Sequence, residues 1–442
     1  MKVGFFTLGC KVNQYETAAL KALFHQEGFE IVSHEDEADI YIINSCTVTH
    51  VGDKKSCQAL RRYRRLHSDA LIVFTGCFPQ AHPDLIEKFN EADIVTGTNH
   101  RQKLPQLIYE YLADQKRRIE IHPYDAKQSI ESLPIKQITQ HTRAYVKIED
   151  GCNRYCSYCI IPTARGHVRS KSLSALAEEF AVLAARGYQE VVLVGINLSS
   201  YGMDLSNVVD LADVVELASS FEGIKRVRLG SLEPDLMTDS IIERLSNIPK
   251  LCPQFHLSLQ SGCDTTLKRM RRRYTSADFY KLVQKIRSKF QNSSITTDIM
   301  VGFPGETDQE FLQSLYFVEK VAFSKVHIFP FSPREGTPAY SMPHQLSNHQ
   351  KQERAIKMET VTKLSRNKFL QSEIGKIEPI LFEKQIGKRA DGYTMNYIPV
   401  TIHTTQQLSG QIRMVQIIDT QHNHCIGHLL NVSPQSTEAA AF

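Results

Sequence analysis

No run of apolar residues in this chain approaches the ~20 needed to cross a bilayer. The apolar stretch after Lys2 is already ended by Lys11, too brief for a signal peptide. No tandem repeat is visible. Charge of one sign is barely in excess, with 52 Lys and Arg against 48 Asp and Glu and a net +4 over 442 residues. Any nucleic-acid binding must therefore come from local patches. These absences leave a globular protein, with the cytoplasm as the expected compartment and no membrane partner. Apolar residues at 42% and charged residues at 23% allow sizeable cores, and the length suggests roughly three domains.

Ten cysteines are present, and their placement is informative. Three stand in Cys152-Asn153-Arg154-Tyr155-Cys156-Ser157-Tyr158-Cys159. A loop of that spacing can set three thiolates around one soft metal centre. An iron–sulfur cube usually takes a Cys at each of four irons, yet no further Cys follows before Cys252. One iron is left open for a small ligand. A zinc site lacks a fourth Cys or His at the usual local spacing, His167 being the nearest. Disulfides suit small secreted scaffolds better than a chain of this length.

The first third alternates between strand and helix patterns. Residues 3–7, 40–44, 71–75 and 94–95 read as buried strands, and 13–27 and 52–67 as helices. Such alternation predicts a parallel sheet with helices on both faces. Cys10, Cys46 and Cys77 each follow one of the first three strands. Loops after the carboxyl ends of parallel strands share one rim, so these cysteines predict a second three-thiolate centre. Cys57, Cys252, Cys263 and Cys425 lack that context and read as buried or incidental. Six cysteines in ligand positions point to a reducing compartment.

A connector with a short strand near 119–121 leads to a second alternating region. Its strands are expected at 144–148, 191–194, 227–229, 255–259, 295–301 and 326–329, with helices at 173–186, 276–288 and 309–320. That gives about six βα units, short of the eight in a closed barrel. The strands end in polar or glycine-rich turns, among them Gly195-Ile196-Asn197, Gly230-Ser231-Leu232-Glu233 and Gln260-Ser261-Gly262. Each alone is ordinary punctuation; together they read as a ligand pocket. A charged helix at 346–370 precedes short strands at 379–382, 398–402 and 412–418, which suggest a small β-barrel of OB-like type. The expected divisions are an α/β domain at 1–113, a linker at 114–141, a central domain at 142–370, a β-barrel domain at 371–433 and a disordered tail at 434–442.

The Cys-x3-Cys-x2-Cys run resembles the signature of radical S-adenosylmethionine (SAM) enzymes. The stretch Thr7-Leu8-Gly9-Cys10-Lys11-Val12-Asn13-Gln14-Tyr15-Glu16, with Asn44-Ser45-Cys46-Thr47-Val48 and Thr75-Gly76-Cys77, resembles the three cysteine motifs of the methylthiotransferase family within them. The resemblance covers nearly the whole chain. It implies an open (β/α)6 radical SAM barrel and two 4Fe-4S clusters, one on Cys10, Cys46 and Cys77 and one on Cys152, Cys156 and Cys159. It also implies a SAM pocket lined by Gly195, Asn197, Glu233 and Gln260, although the Gly-Gly-Glu triplet common in radical SAM enzymes is here Gly195-Ile196-Asn197. One SAM would methylate sulfur near the first cluster, and another would be cleaved at the second to give a deoxyadenosyl radical. No catalytic side chain is assigned.

The wording Gly9-Cys10-Lys11-Val12-Asn13-Gln14 resembles the branch that acts on threonylcarbamoylated adenosine beside the tRNA anticodon. Sister branches act on isopentenyladenosine or on a ribosomal-protein Asp, and a non-catalytic iron–sulfur RNA-binding redox sensor is a further reading. An electron donor such as a flavodoxin or ferredoxin is implied, with the sulfur donor unspecified. The last domain resembles a TRAM module, an RNA-binding fold, best over Gly392-Tyr393-Thr394-Met395-Asn396-Tyr397. Arg61, Arg62, Arg64 and Arg65 read equally as a solvated face or a phosphate patch. Arg271-Arg272-Arg273-Tyr274 reads as an RNA contact or a solvated loop, and Arg165 as a SAM- or phosphate-orienting group or a surface residue.

Overall fold

A computed structural model describes residues 1–125, 128–131, 133 and 142–430. The first sheet contains β1 (Lys2–Thr7), β2 (Glu30–Val32), β3 (Ile40–Ser45), β4 (Leu71–Gly76), β5 (Ile94–Thr96) and β6 (Arg118–Glu120). Their order is β2-β1-β3-β4-β5-β6, and every pairing is parallel. The connecting helices are α1 (Lys11–Gln26), α2 (His50–Leu66), α3 (Cys77–Ala81) and α4 (Leu104–Asp114). Side chains alternate between the faces of a strand. Ile40, Ile42 and Val73 therefore pack with Leu20, Phe24 and Ile108 on one side, while Tyr41, Ile43, Ile72 and Phe74 pack with Leu60 and Tyr63 on the other. β6 lies in the segment read as a connector and extends this sheet at its edge.

The central region contains β7 (Arg143–Lys147), β8 (Glu149–Asp150), β9 (Arg169–Ser170), β10 (Glu190–Val194), β11 (Arg226–Leu229), β12 (Ser231–Leu232), β13 (Gln254–Leu257), β14 (Ser294–Val301) and β15 (Lys325–Pro330). Its helices are α5 (Ile161–Arg165), α6 (Leu173–Ala185), α7 (Leu211–Ser220), α8 (Asp239–Ser246), α9 (Asp264–Arg269), α10 (Ser276–Lys289), α11 (Asp308–Val321) and α12 (Asn348–Gln371). Parallel strands run β7-β10-β11 and then β12-β13-β14-β15. Gly230 alone separates β11 from β12, so one chain segment passes from the first sheet to the second. The result is an open wall of six strand positions. Ala144, Val146, Val191 and Leu193 point out to the helices and share the largest core with Phe180, Val215 and Phe279. Tyr145, Val192 and Val194 point to the inner side instead.

The last domain is a closed barrel of β16 (Ile377–Ile386), β17 (Arg389–Tyr393), β18 (Pro399–His403), β19 (Ile412–Gln421) and β20 (His424–Leu429), ordered β16-β17-β18-β20-β19. It seals the lower end of the central wall, where the strands begin. Arg228 donates to the Met395 carbonyl at 2.8 Å, Arg226 to the Tyr393 carbonyl at 3.1 Å, and Ser294 to the Asn396 carbonyl at 2.6 Å. Arg143 lies over both Tyr393 and Tyr397, 5.1 Å from each ring. The Gly392–Tyr397 stretch therefore docks against the central domain. Exposed Lys384, Lys388 and Arg389 lie elsewhere on this barrel. The tail expected at 434–442 lies outside the described residues.

Candidate metal centres

Cys10, Cys46 and Cys77 occupy the turns after β1, β3 and β4. The shared rim brings them together. A Cβ on Gly9, whose φ is +108°, would stand 2.9 Å from Cys46 Cβ and 3.1 Å from its Sγ. Gly76, at φ +104°, leaves room for Asn44 and the Ser45 backbone. Glycine alone meets both the conformation and the closeness. Asn13 organises the group from the first turn of α1. Its Nδ2 donates to the carbonyls of Leu8 at 2.8 Å and Ser45 at 2.9 Å, and its Oδ1 lies 3.9 Å from the sulfurs of both Cys10 and Cys77.

The second triad lies in the loop between β8 and α5. Burial, and then the backbone N–H of Arg154 acting against it, leave the Cys152 thiol raised to about 11. Burial and the neighbouring Cys156 push Cys159 to about 12. In the first triad burial, opposed by Arg165, leaves Cys77 at about 12, and burial raises Cys46 as well. Thiols this reluctant to ionise ligate readily only when a metal cation replaces the proton. Among the described residues no three His, Cys, Asp or Glu side chains close on one point as ligands of a single ion would.

One short helix joins the two centres. α5 begins two residues after Cys159 and ends at Arg165, whose Nε donates to Cys77 Sγ at 3.3 Å. Five residues rise roughly 8 Å along a helix axis. Thr98 Oγ1 holds the Ala164 carbonyl at 2.7 Å. Around Arg165 lies a fully buried ionic group. Glu16 receives Arg165 at 2.5 and 3.0 Å, Arg101 at 2.8 and 2.9 Å, and Lys147 at 2.9 Å. Asp150 receives Lys147 at 3.0 Å and Arg165 at 3.2 Å. Burial raises the Glu16 carboxyl, but Arg101, Arg165 and Lys147 together hold it well below its ordinary value. Asp150 is held at about 2: burial opposes its ionisation, and Lys147 and Arg165 prevail. On the far side of Cys46, Arg334 from the loop after β15 pairs with Asp53 at 2.5 Å and also bonds Thr47. That pair borders a cleft of about 630 Å³ lined by Cys57, His82 and Tyr340.

Three of the four residues expected in the cofactor pocket stand beside the second triad. A Cβ on Gly195 would meet Glu149 Oε2 at 2.5 Å. The Asn197 N–H donates to that same oxygen at 2.9 Å, and Ser199 Oγ accepts from the Glu233 N–H at 2.9 Å. Asn197 Oδ1 and Glu149 Oε1 are buried without a partner among the described residues. Burial raises Glu149 well above the usual carboxyl range. Glu233 is spanned by Arg272 at 2.6 Å and Arg154 at 3.5 Å. Gln260, at φ +69°, has its backbone joined to Asp298 and Met300 of β14.

Arg272 also donates to Cys156 Sγ at 3.3 Å and to the Tyr274 hydroxyl at 2.9 Å. The Arg272 and Tyr274 side chains are buried. The basic triplet read as an RNA contact is thus split: Arg272 turns in to the cysteines, while Arg271 lies exposed at φ +59°. Arg165 is likewise interior. Of the α2 arginines, Arg64 is engaged with Asp93 and the Ala70 carbonyl, and Arg61, Arg62 and Arg65 remain exposed. Asn13 and Glu16 were not singled out from sequence. Their signals are membership of the Thr7–Glu16 motif and position on the first turns of the helix that follows Cys10.

Two family models match the chain: an uncharacterized protein family, UPF0004, over residues 2–97, and the radical SAM superfamily over residues 146–318. The threonylcarbamoyladenosine tRNA methylthiotransferase MtaB of Bacillus subtilis is 36% identical over 97% of this chain and 96% of its own length. Its Thermotoga maritima counterpart is 38% identical over 89% of each chain. The tRNA-2-methylthio-N(6)-dimethylallyladenosine synthase of Pelotomaculum thermopropionicum is 34% identical over 86% of each. Among solved structures, the radical SAM methyltransferase TsrM of Kitasatospora setae, with cobalamin and a [4Fe-4S] cluster bound, shares the fold. It has a TM-score of 0.56 and 14% identity, covering 77% of this chain and 74% of that one.

Proposed function

The chain belongs to the methylthiotransferase family of radical SAM enzymes, and from that premise we propose that it converts N6-threonylcarbamoyladenosine at position 37 of tRNA to its 2-methylthio derivative, an MtaB-type activity. The observation that carries this reading is the pair of thiol triads held on either side of α5, in a chain similar to MtaB proteins from end to end.

Cys10, Cys46 and Cys77 would hold one 4Fe-4S cluster, and Cys152, Cys156 and Cys159 the other. With SAM bound, the latter supplies a carbon radical strong enough to break the unactivated C–H bond at adenine C2. The chain's own part is placement. Asn197 Oδ1 and Glu149 Oε1, buried without donors, suit the amino and ribose hydroxyl groups of SAM, because a buried acceptor left unpaired is unfavourable. Arg272 stands between Glu233 and the Cys156 sulfur and contacts both. The RNA partner would present its anticodon loop, and exposed Lys384, Lys388 and Arg389 suit phosphate contacts. An electron donor of flavodoxin or ferredoxin type and a cytoplasmic location complete the proposal. No helix among the described residues is long and apolar enough to cross a membrane.

Two measurements test it. In a deletion strain, methylthio-threonylcarbamoyladenosine should vanish from tRNA and return with the gene. Its persistence, with loss of another methylthio nucleoside, would assign a sister activity. Anaerobic iron and sulfide content of Cys46→Ala and Cys156→Ala should each fall by half; a single cube or zinc in the wild type would sink the two-cluster reading.

A further inference from the structure

Lys11 is the first residue of α1 and follows Cys10 directly. The first turn of this helix lies over the inner side of the central wall, where Val12 and Tyr15 pack with Tyr145, Val192 and Val194. The Lys11 side chain is open to solvent, and charged groups surround it. Its amine faces Arg143, Arg228 and Glu190. All three of those residues lie on the lower inner wall. Lys11 also reaches the field of His327 on β15, across the opening. It stands in the space enclosed by the six strand positions.

The charges there do not balance. Arg143, Arg226 and Arg228 share two carboxylates, Glu190 and Glu383, with pairs at 2.5 to 3.8 Å. A further carboxylate in this field, Asp298 on β14, is engaged by His256 at 3.2 Å. Lys11 adds a fourth cation, and among the described residues it has no ion pair or hydrogen bond. Nor is it relieved by its own helix. The first turn of α1 contains no acidic residue, and a cation at a helix N-terminus opposes the macrodipole. A cation held in a walled space against two arginines and a helix dipole is relieved by an anion entering that space.

The substrates of the two groups of relatives differ in this respect. A threonylcarbamoyl group carries the carboxylate of threonine, whereas a dimethylallyl group is an uncharged hydrocarbon. We propose that Lys11 binds the carboxylate of the threonylcarbamoyl group and so selects that substrate over one bearing a hydrocarbon at the same nitrogen. The proposal rests on the substrate reading above. Lys11 acts in both directions: it pairs with the right group, and it is left unpaired beside the wrong one.

The test compares wild type, Lys11→Met and Lys11→Arg, each reconstituted anaerobically, on three anticodon stem-loop RNAs. One carries threonylcarbamoyladenosine, one its methyl ester, and one dimethylallyladenosine. Binding is read by fluorescence anisotropy and single-turnover thiolation by nucleoside analysis. A charge-assisted hydrogen bond predicts that wild type prefers the free carboxylate over the ester by about 10- to 100-fold. In Lys11→Met that preference should collapse to near unity, with binding of the hydrocarbon RNA equal or tighter, and Lys11→Arg should restore most of it. Iron, sulfide and the spectra of both clusters should be unchanged in all three. If Lys11→Met keeps the wild-type preference, or if wild type has none, the inference is overturned. Loss of the first cluster in Lys11→Met would overturn it too, assigning Lys11 to cluster support. If wild type thiolates only the hydrocarbon RNA, the substrate reading itself fails.

Discussion

Glu16→Gln removes one negative charge from the centre of the interface between the first two domains. Glu16 is fully buried, and its two oxygens accept four hydrogen bonds from Arg101, Lys147 and Arg165, with a further ion-pair contact to Arg101 at 2.8 Å. Asp150 is the nearest remaining carboxylate, with Glu131 3.7 Å from Arg101. An amide cannot substitute. Both arginines bond both oxygens, so the NH2 of the introduced glutamine would face a guanidinium whichever way it is turned. Removing one partner from a buried ionic group costs about 3–5 kcal/mol, which is on the order of 10²–10³-fold or more in an opening equilibrium. A protein of several domains has no single unfolding free energy. The readout is therefore local: amide hydrogen exchange of the apoprotein at α1, α5 and β7. Exchange there should accelerate about a hundredfold or more, while the closed barrel at 377–429 stays unchanged. The pH dependence has a definite sign. Glu16 and Asp150 are both depressed, so their contribution is present above the ordinary carboxyl range and is lost as pH falls through their native values, about 2 for Asp150. The wild-type interface should persist below pH 4. Exchange in Glu16→Gln within threefold of wild type would refute the reasoning.

Glu149→Gln should act oppositely. Burial raises this carboxyl, so wild type loses stability as pH rises from the ordinary carboxyl range toward the displaced value. The glutamine variant should not, and the gap is read from amide hydrogen exchange at β8 and β10, variant beside wild type at each pH from 5 to 9. Arg272→Met removes a donor to Cys156 Sγ. The second cluster should then have a lower reduction potential by spectroelectrochemistry, because donors to ligand sulfurs favour the reduced state; an unchanged potential would show the contact to be idle. Arg228→Met strips the Thr394 and Met395 carbonyls of their donor and leaves Glu190 buried with weaker partners. Limited proteolysis should then cut between α12 and β16 at least tenfold faster, with the closed barrel released intact.

Periodicity made the six positions of the central wall and the first four buried strands of the amino-terminal sheet legible. Apolar runs such as Ile40 to Ile43 suit only a strand covered on both faces. Several of the elements missed have a weak local pattern. β17 reads Arg-Ala-Asp-Gly-Tyr, with two charges and a glycine, and is held by its neighbours β16 and β18 rather than by alternation. α8 and α9 have eight and six residues, too few for a clear period. At the site, the placement of Cys10, Cys46 and Cys77 after successive strands was legible. The ionic group around Arg165 was not, because Glu16 lies 149 positions from it and 85 from Arg101. Arg272 illustrates the same limit. In a run of three arginines only the turn at Arg271 decides which one points inward.

The contact of Arg165 with Cys77 also orders events during synthesis. The three amino-terminal cysteines leave the ribosome well before Arg165, 88 residues after Cys77 (165 minus 77). At translation rates of about 5–20 residues per second, the nascent chain exposes that pocket for roughly 4–18 s without its guanidinium cover. A cluster assembled on these three cysteines would have an open window then, with closure by α5 as elongation proceeds.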